Sequence, residues 1–384
     1  MAPTPIRTCV LGVGLAGLTF HIPFILALPD LFTLTAVLER NPSSPGGKLQ
    51  ERFGISVRIH RTLHGVLEDP DVDLVVVGTP SATHYQFAKL ALLAGKHVLV
   101  DKPVTATSEE AKELGELAKS KRLVLYPFQN RRWDSDFLAL RRLLSAPPHS
   151  PQSLGDLVEL ESHFDRYRPA LKGTWKDEAG PASGQTYDLG SHLIDQALVL
   201  FGRPKSVTAF IENARNIGDP LVDDNFTIFL QYPAGTVSPH PFTVILRAHI
   251  LSVCSRQLRY KVRGSGGTFV KYGLDMQEDQ LKVLSEPNGI HAAEFGAEPV
   301  EMWGTLESLI DGSVVKSKWP SLERGGYINL FRNLAAVILD GAEQDVKWGE
   351  SVSVIEIVEL AHQSSKGKRT LRYSSYLTIK KHIM

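Results

Sequence analysis

Three groups of residues in this chain have the types and spacing to do chemistry. The first is Gly12-Val13-Gly14-Leu15-Ala16-Gly17, a G-x-G-x-x-G run. With a strand before it and a helix after it, glycines at that spacing let backbone amides approach a pyrophosphate at a helix N-terminus. The bland alternative is a tight turn that holds no ligand. Glu39 stands 22 positions beyond Gly17, where a carboxylate can accept hydrogen bonds from an adenosine ribose 2′-hydroxyl. Arg40, Ser43, Ser44 and Lys48 follow at once, and those groups suit a ribose 2′-phosphate. The residues therefore leave NAD and NADP both open.

The second group ends two apolar runs: Thr79-Pro80-Ser81-Ala82-Thr83-His84 and Asp101-Lys102-Pro103. In open α/β sheets ligands sit outside the carboxyl ends of the strands. A lysine there can hydrogen-bond a reacting oxygen, and a positive nicotinamide nearby lowers its pKa; the rival reading of Lys102 is a surface lysine. The third group is Asp188, His192 and Asp195, spaced i, i+4, i+7, which places an imidazole between two carboxylates on one helix face. A carboxylate raises and orients a histidine for general acid/base work. A divalent metal site and a structural helix cap are the rivals; no further ligand cluster follows, and we expect no metal. His21, Arg131 and Trp133 are weaker candidates for a polar ligand pocket, with a buried helix histidine and a salt-bridge cluster as their alternatives.

The elements that must position these groups follow from periodicity. Apolar runs at 8–13, 32–38, 74–77, 97–100 and 123–126 alternate with helical patterns at 85–94 and 108–120, the latter with Ser108 as an expected N-cap. Such alternation predicts a parallel, doubly wound sheet. The stretch 145–151, rich in proline, reads as a linker. Beyond it strand-like runs at 157–164, 206–212, 226–232, 242–251, 258–262 and 268–272 group apart from helices at 189–201, 327–339 and 351–364. That pattern predicts an α+β domain with an open, mostly antiparallel sheet. The glycine cluster 264–267 reads as a hairpin turn, since no helix follows it. We thus expect α/β architecture with a Rossmann domain at 1–147 and a second domain at 148–384, the late helix from about 351 packing back near the first.

Composition excludes several classes. Forty-two basic residues balance 42 acidic ones, so there is no electrostatic footprint for nucleic acid or an anionic membrane. Two cysteines cannot build a disulfide framework or a cysteine-rich zinc site. No apolar stretch approaches the roughly 18 residues of a membrane helix, and neither terminus reads as a targeting signal. A cytoplasmic protein is expected.

The order of these motifs, Gly12-x-Gly14-x-x-Gly17, Thr79-Pro80-x-x-x-His84, Asp101-Lys102-Pro103 and Asp188-x-Gly190-x-His192-x-x-Asp195, resembles the glucose-fructose oxidoreductase / inositol dehydrogenase / rhizopine-catabolism (Gfo/Idh/MocA) family over nearly the whole chain. Phe20-His21-x-Pro23 and Asn130-Arg131-Arg132-Trp133-Asp134 look most like a subgroup that includes NADP-linked scyllo-inositol dehydrogenases. The resemblance implies that Lys102 hydrogen-bonds the reacting hydroxyl, that His192 transfers its proton and that Asp188 stands beside it. It further implies cofactor contacts from Gly12, Gly14, Leu15, Ala16, Gly17, Glu39, Arg40, Ser43, Ser44, Thr79, Pro80, His84, Asp101 and Lys102. Substrate contacts would come from Asp195, with His21, Arg131 and Trp133 as candidates. Two departures stand out: Asp101 replaces the usual glutamate, and the usual glycine pair before Asp188 is interrupted as Gly184-Gln185. The expected activity is an NAD(P)-dependent dehydrogenase or reductase of a polyol, sugar or related cyclic alcohol, leaning to NADP, assembled as a dimer or tetramer through the second domain's sheet. Its competitors are a non-catalytic, cofactor-binding transcriptional regulator and a reductase of a specialised metabolite.

Overall fold

The computed structural model describes residues 4–147 and 150–373. Pro148 and His149 of the expected linker, and the C-terminal residues from 374 on, lie outside the described residues. The chain forms two compact units, each with its own sheet.

The first unit carries β1 (Ile6–Leu11), β2 (Phe32–Leu38), β3 (Arg58–His60), β4 (Leu74–Val77), β5 (His97–Val100) and β6 (Leu125–Pro127). They pair in the order β3-β2-β1-β4-β5-β6, every pair parallel. Leu74, Val75, Val76 and Val77 are all buried, as a strand covered on both faces requires. The strand order reverses between β1 and β4, and a topological switch point of this kind opens a crevice at the carboxyl edge. The helix Ser108–Lys121 is capped one residue earlier than expected: the Thr107 hydroxyl accepts from the Glu110 amide, and the Glu110 carboxylate accepts from the Thr107 amide. Thr107 has the extended backbone of an N-cap, and its reciprocal bonds with Glu110 form a capping box.

The second unit carries β7 (Leu157–His163), β8 (Ser206–Glu212), β9 (Asn225–Tyr232), β10 (Phe242–His249), β11 (Leu258–Gly264), β12 (Gly267–Tyr272), β13 (Gly304–Ile310), β14 (Ser313–Trp319) and β15 (Leu371–Arg372). They form one sheet, β14-β13-β12-β11-β7-β10-β9-β8-β15, in which only β7 and β10 run parallel. β11 and β12 meet at the expected glycine hairpin. Val244, Leu246 and Ala248 of β10 alternate inward, into a core shared with Leu193, Ile194 and Ala197 of the helix Ser191–Phe201.

The units are not contiguous in sequence. Residues 275–297 and 323–352 belong with the first unit, whereas a single division at 147/148 is what local pattern suggests. Their apolar side chains, including Leu281, Ile290, Phe295, Tyr327 and Phe331, share one core with Ile22, Phe24 and Val76. The late helix, Trp348–Gly367, gives only its first residues to that unit, where Trp348 Nε1 donates to the Ala111 carbonyl at 2.7 Å. Its remaining apolar face, Val354, Ile357, Val358 and Ala361, lies in the second core. The late helix, expected near the first domain, thus divides between the two units.

Candidate active site

In the first unit the glycine loop follows β1 directly. Gly12 has φ +90°, a conformation that side chains rarely adopt, and its amide donates to the Leu38 carbonyl at 3.2 Å. A Cβ at Gly17 would collide with the Gly12 carbonyl oxygen. Gly14 differs: a Cβ there would meet nothing within 4 Å, so this glycine faces open space at the mouth of the loop, beside exposed Leu15. That open, side-chain-free backbone fits a dinucleotide pyrophosphate. The chain then turns through a π-helical segment, Ala16–His21, before the helix Ile22–Leu26.

At the end of β2 Glu39 is buried and turned away from solvent. Its Oε2 accepts from the Lys48 amide at 3.1 Å, at the start of the helix Gly47–Phe53, and its Oε1 is buried with no hydrogen-bond partner among the described residues. Arg40 beside it is exposed. The Ser43 and Ser44 hydroxyls donate to Glu51 Oε1 at 2.8 and 3.0 Å. Arg61, which the motif reading passed over, donates to the Arg40 carbonyl at 3.4 Å and adds a second exposed cation to this corner.

The strand ends beyond are held by buried polar groups. His84 lies between two loops, Nδ1 2.7 Å from the Pro103 carbonyl and Nε2 2.8 Å from the Thr79 carbonyl. Burial pushes its pKa down, opposed by the Asp101 charge. Asp101 Oδ1 accepts from the Lys102 amide at 2.6 Å and Oδ2 meets His21 Nε2 at 3.1 Å. Burial alone would raise the Asp101 carboxyl; the His21 hydrogen bond and the charges of His21, Lys102 and His84 outweigh it and hold Asp101 below the ordinary value. The Lys102–Pro103 peptide is cis, and Lys102 itself is half-buried. His84 and Asp101 thus act on the backbone that carries Thr79 and Lys102, where a direct cofactor contact was expected of both.

His21 and Arg131 need correction as substrate-facing residues. His21 is fully buried, edge-on to Phe128 at 4.5 Å between ring centroids. Its ring is enclosed by core, with Nε2 on Asp101. Arg131 is buried in an ionic network with Asp134 and Glu278, to which Tyr327 donates through its hydroxyl at 2.6 Å from Asp134. A guanidinium so paired through Nη1 and Nη2 fits the salt-bridge alternative for this residue. Trp133 is half-buried against the same core, and its carbonyl accepts from Gln277 and Gly326.

In the second unit Asp188 sits in a π-helical turn, Thr186–Gly190, and His192 on the first turn of the helix Ser191–Phe201. A π-turn winds wider than the 3.6-residue helix assumed from spacing, and such turns recur at functional sites. Asp188 Oδ2 pairs with Lys176 Nζ at 2.9 Å; His192 and Asp195 are both buried. The turn is anchored by Asp223, whose Oδ2 accepts from the Thr186 amide at 2.7 Å and its hydroxyl at 2.8 Å. Burial pushes the Asp223 carboxyl up to about 6, against those two hydrogen bonds. Asp223 and Lys176 escaped the motif reading. Two adjacent acids at 223–224 before a strand were the only signal for the first, and Lys176 had none. Among the described residues no cluster of His, Cys, Asp and Glu could hold a metal ion.

A parallel sheet ordered 3-2-1-4-5-6, with a glycine loop at its switch point and a second, mainly antiparallel domain, is the architecture of a two-domain dinucleotide-binding oxidoreductase. Comparison with known proteins makes this specific. Residues 6–128 match the model of the oxidoreductase family's NAD-binding Rossmann fold, and residues 151–373 that of its C-terminal alpha/beta domain. The chain belongs to the Gfo/Idh/MocA oxidoreductase family. It is 40% identical over 377 residues to an uncharacterised oxidoreductase of Schizosaccharomyces pombe, covering 96% of this chain and 99% of that one. It is 36% identical over 366 residues to the scyllo-inositol 2-dehydrogenase (NADP(+)) IolW of Bacillus subtilis, covering 95% of each. A crystal structure of an oxidoreductase from Bacillus cereus superimposes with TM-score 0.80 at 30% identity, over 96% of this chain and 99% of that one.

Proposed function

We propose that this NAD(P)-binding oxidoreductase oxidises a carbinol of a polyol, sugar or related cyclic alcohol, or reduces the matching ketone. When bound, the nicotinamide supplies the hydride chemistry. His192 takes the hydroxyl proton in the oxidative direction and returns it in the reductive one. Lys102 donates a hydrogen bond to the same oxygen and stabilises developing alkoxide charge. Asp188 orients the imidazole and favours its charged form. Asp195 lies one turn along the helix from His192 and serves substrate hydroxyls. The observation that carries this reading is the match over both domains, with Lys102, Asp188 and His192 all present. A regulator that only binds cofactor has no use for that trio. A panel of inositols, sugars and sugar acids, followed by nicotinamide absorbance, tests it: turnover of a cyclic or open polyol is expected, and cofactor binding without turnover of any member would overturn it.

We favour NADP. Glu39 is turned into the helix Gly47–Phe53, which removes the like-charge conflict that a 2′-phosphate beside an outward carboxylate would meet. Arg40 and Arg61 supply exposed cations at that corner, and a relative of 36% identity is named for NADP(+). We place the protein in the cytoplasm, in keeping with its two free cysteines, Cys9 and Cys254. No helix among the described residues is long and apolar enough to cross a membrane.

A further inference from the structure

The helix that bears His192 is tied to the sheet beneath it through Gln196. This residue stands one turn beyond His192 and shares its face, since residues at i and i+4 lie one above the other. It is buried, and its Oε1 accepts from Arg259 Nη2 at 3.0 Å and from the Tyr260 hydroxyl at 2.8 Å. Adjacent residues of a regular strand point to opposite faces, so they would not both reach one oxygen. A β-bulge brings them together: Leu258 pairs with Tyr272 and Tyr260 with Lys271, which leaves Arg259 as an extra residue of β11. A bulge of this kind re-aims a side chain. Arg259 thus lies on the helix-covered face of the sheet, its guanidinium 4.3 Å from the Tyr260 ring centroid. Its Nε donates to Asp136 Oδ2 at 2.9 Å and its Nη1 to the His163 carbonyl at 3.2 Å.

Packing alone does not call for these bonds. Leu193, Ile194 and Ala197 already bury the helix in the second core, and a buried arginine is costly to desolvate. Apolar contact is non-directional, so it holds the helix down without choosing its rotation. Hydrogen bonds are directional and choose it. The turn before His192 is fixed at Asp223, through the amide and hydroxyl of Thr186. Gln196 fixes the turn after it, so His192 is bracketed by two polar anchors. We infer that Gln196 is a positioning residue, held by Arg259 and Tyr260 so that the helix presents the His192 imidazole and the Asp195 carboxylate at one rotation. The inference rests on the activity proposed above, in which His192 carries the proton. A misplacement of about 1 Å in such a group costs up to about 10²-fold in rate.

Steady-state kinetics and NMR of isotope-labelled histidine test this on the full chain, the His192 ring signal being identified by its absence from H192A. Q196M keeps the length of the side chain and removes the acceptor. It should bind NADP(+) like the parent, lose about ten- to hundred-fold in kcat and shift the His192 signal. Q196E, which keeps an acceptor oxygen at the same reach, should bring both back towards the parent. Y260F leaves the Arg259 bond in place and should lie between. V244A thins the same core without touching these hydrogen bonds; it should lower the melting temperature and leave kcat and the His192 signal unchanged. Parent kcat and an unmoved His192 signal in Q196M would overturn the proposal. So would recovery of neither in Q196E, or V244A moving both as far as Q196M does. Should Q196M fail to fold, Y260F decides: a shifted signal supports the positioning role and an unmoved one overturns it. The histidine signal needs no turnover. A parent that turns over no polyol therefore refutes the activity alone, and turnover in the parent with the signal unmoved in Q196M refutes the role of Gln196 alone.

Discussion

At the residue scale, buried side chains hold the backbone on which the candidate site residues stand. Asp101 and His21 illustrate it: neither opens to a ligand, yet together they hold the amide of Lys102. Replacing His21 by Leu leaves the Asp101 carboxylate buried with its imidazole partner gone, which costs about 1–3 kcal/mol. Asp101 is held below its ordinary value, so its native interactions stabilise the fold above the usual carboxylate range and are lost as the pH falls through that lowered value. Urea unfolding should show the His21→Leu deficit at neutral pH and its shrinkage in acid; a deficit independent of pH would point to lost packing alone. We propose that cofactor choice turns on Arg40. Arg40→Ala should raise the Michaelis constant for NADP by roughly ten- to hundred-fold and that for NAD much less, since a charge-assisted bond is worth about 1.5–3 kcal/mol. Equal effects on both cofactors would remove the assignment. Lys102, Asp188 and His192 were singled out because their spacing forms a motif. The enclosure of His21 and Arg131 was not, because it depends on Phe331, Glu278 and Tyr327, some 150 or more positions away in the chain.

At the element scale a π-helical turn, Ala16–His21, follows the glycine loop, and another, Thr186–Gly190, precedes His192. Spacing alone reads such segments as ordinary helix, since the pattern of apolar residues hardly changes when one turn widens. β3 was likewise invisible: Arg58-Ile59-His60 contains a single apolar residue and earns its place only by pairing with β2. β14 is nearly all exposed, so it lacks the alternation that marks a half-buried strand. The continuous apolar runs of β1, β4 and β5 were legible because a strand buried on both faces must be apolar throughout. Asp223 gives the second π-turn a pH signature. Its carboxyl is raised to about 6 in the fold and returns to the ordinary value of about 3.9 when unfolded. The native state then holds a proton that the unfolded chain releases, so stability should fall by about 1–3 kcal/mol as pH rises from about 4 to 6 and level off above. Asp223→Asn should flatten that window in thermal melts taken across the range. An unchanged slope would remove Asp223 as its source.

At the scale of the whole molecule, a doubly covered parallel sheet and an open sheet could be read from pattern, whereas the membership of each unit could not. Residues 275–297 and 323–352 join the first core through long-range packing of Leu281, Phe295 and Phe331, and periodicity reports only local order. The nine-stranded sheet leaves apolar side chains in the open, among them Leu309 and Val314, which are register partners on β13 and β14, and Tyr272 of β12. Such exposure suits an oligomer surface, and we propose a dimer or tetramer formed through this sheet. Light scattering should return twice or four times the 42.3 kDa of one chain, and lysines at both Leu309 and Val314 should return it to one. A parent protein that is already monomeric would count against that surface.

The central claim is that His192 carries the proton. The measurement that bears on it most directly is the turnover of His192→Ala on a substrate that the parent protein oxidises or reduces, alongside its cofactor affinity. Turnover should fall by about 10²–10⁴-fold, the usual share of general acid–base catalysis, and the pH profile should lose its histidine-dependent limb. Cofactor affinity should barely change, because the glycine loop and Glu39 lie in the other unit. Lys102→Ala should also cut turnover, and the double variant should lose less than the product of the two effects, as expected of groups serving one oxygen. Near-normal turnover for His192→Ala would contradict the account and return Asp188, His192 and Asp195 to a purely structural role at the start of their helix.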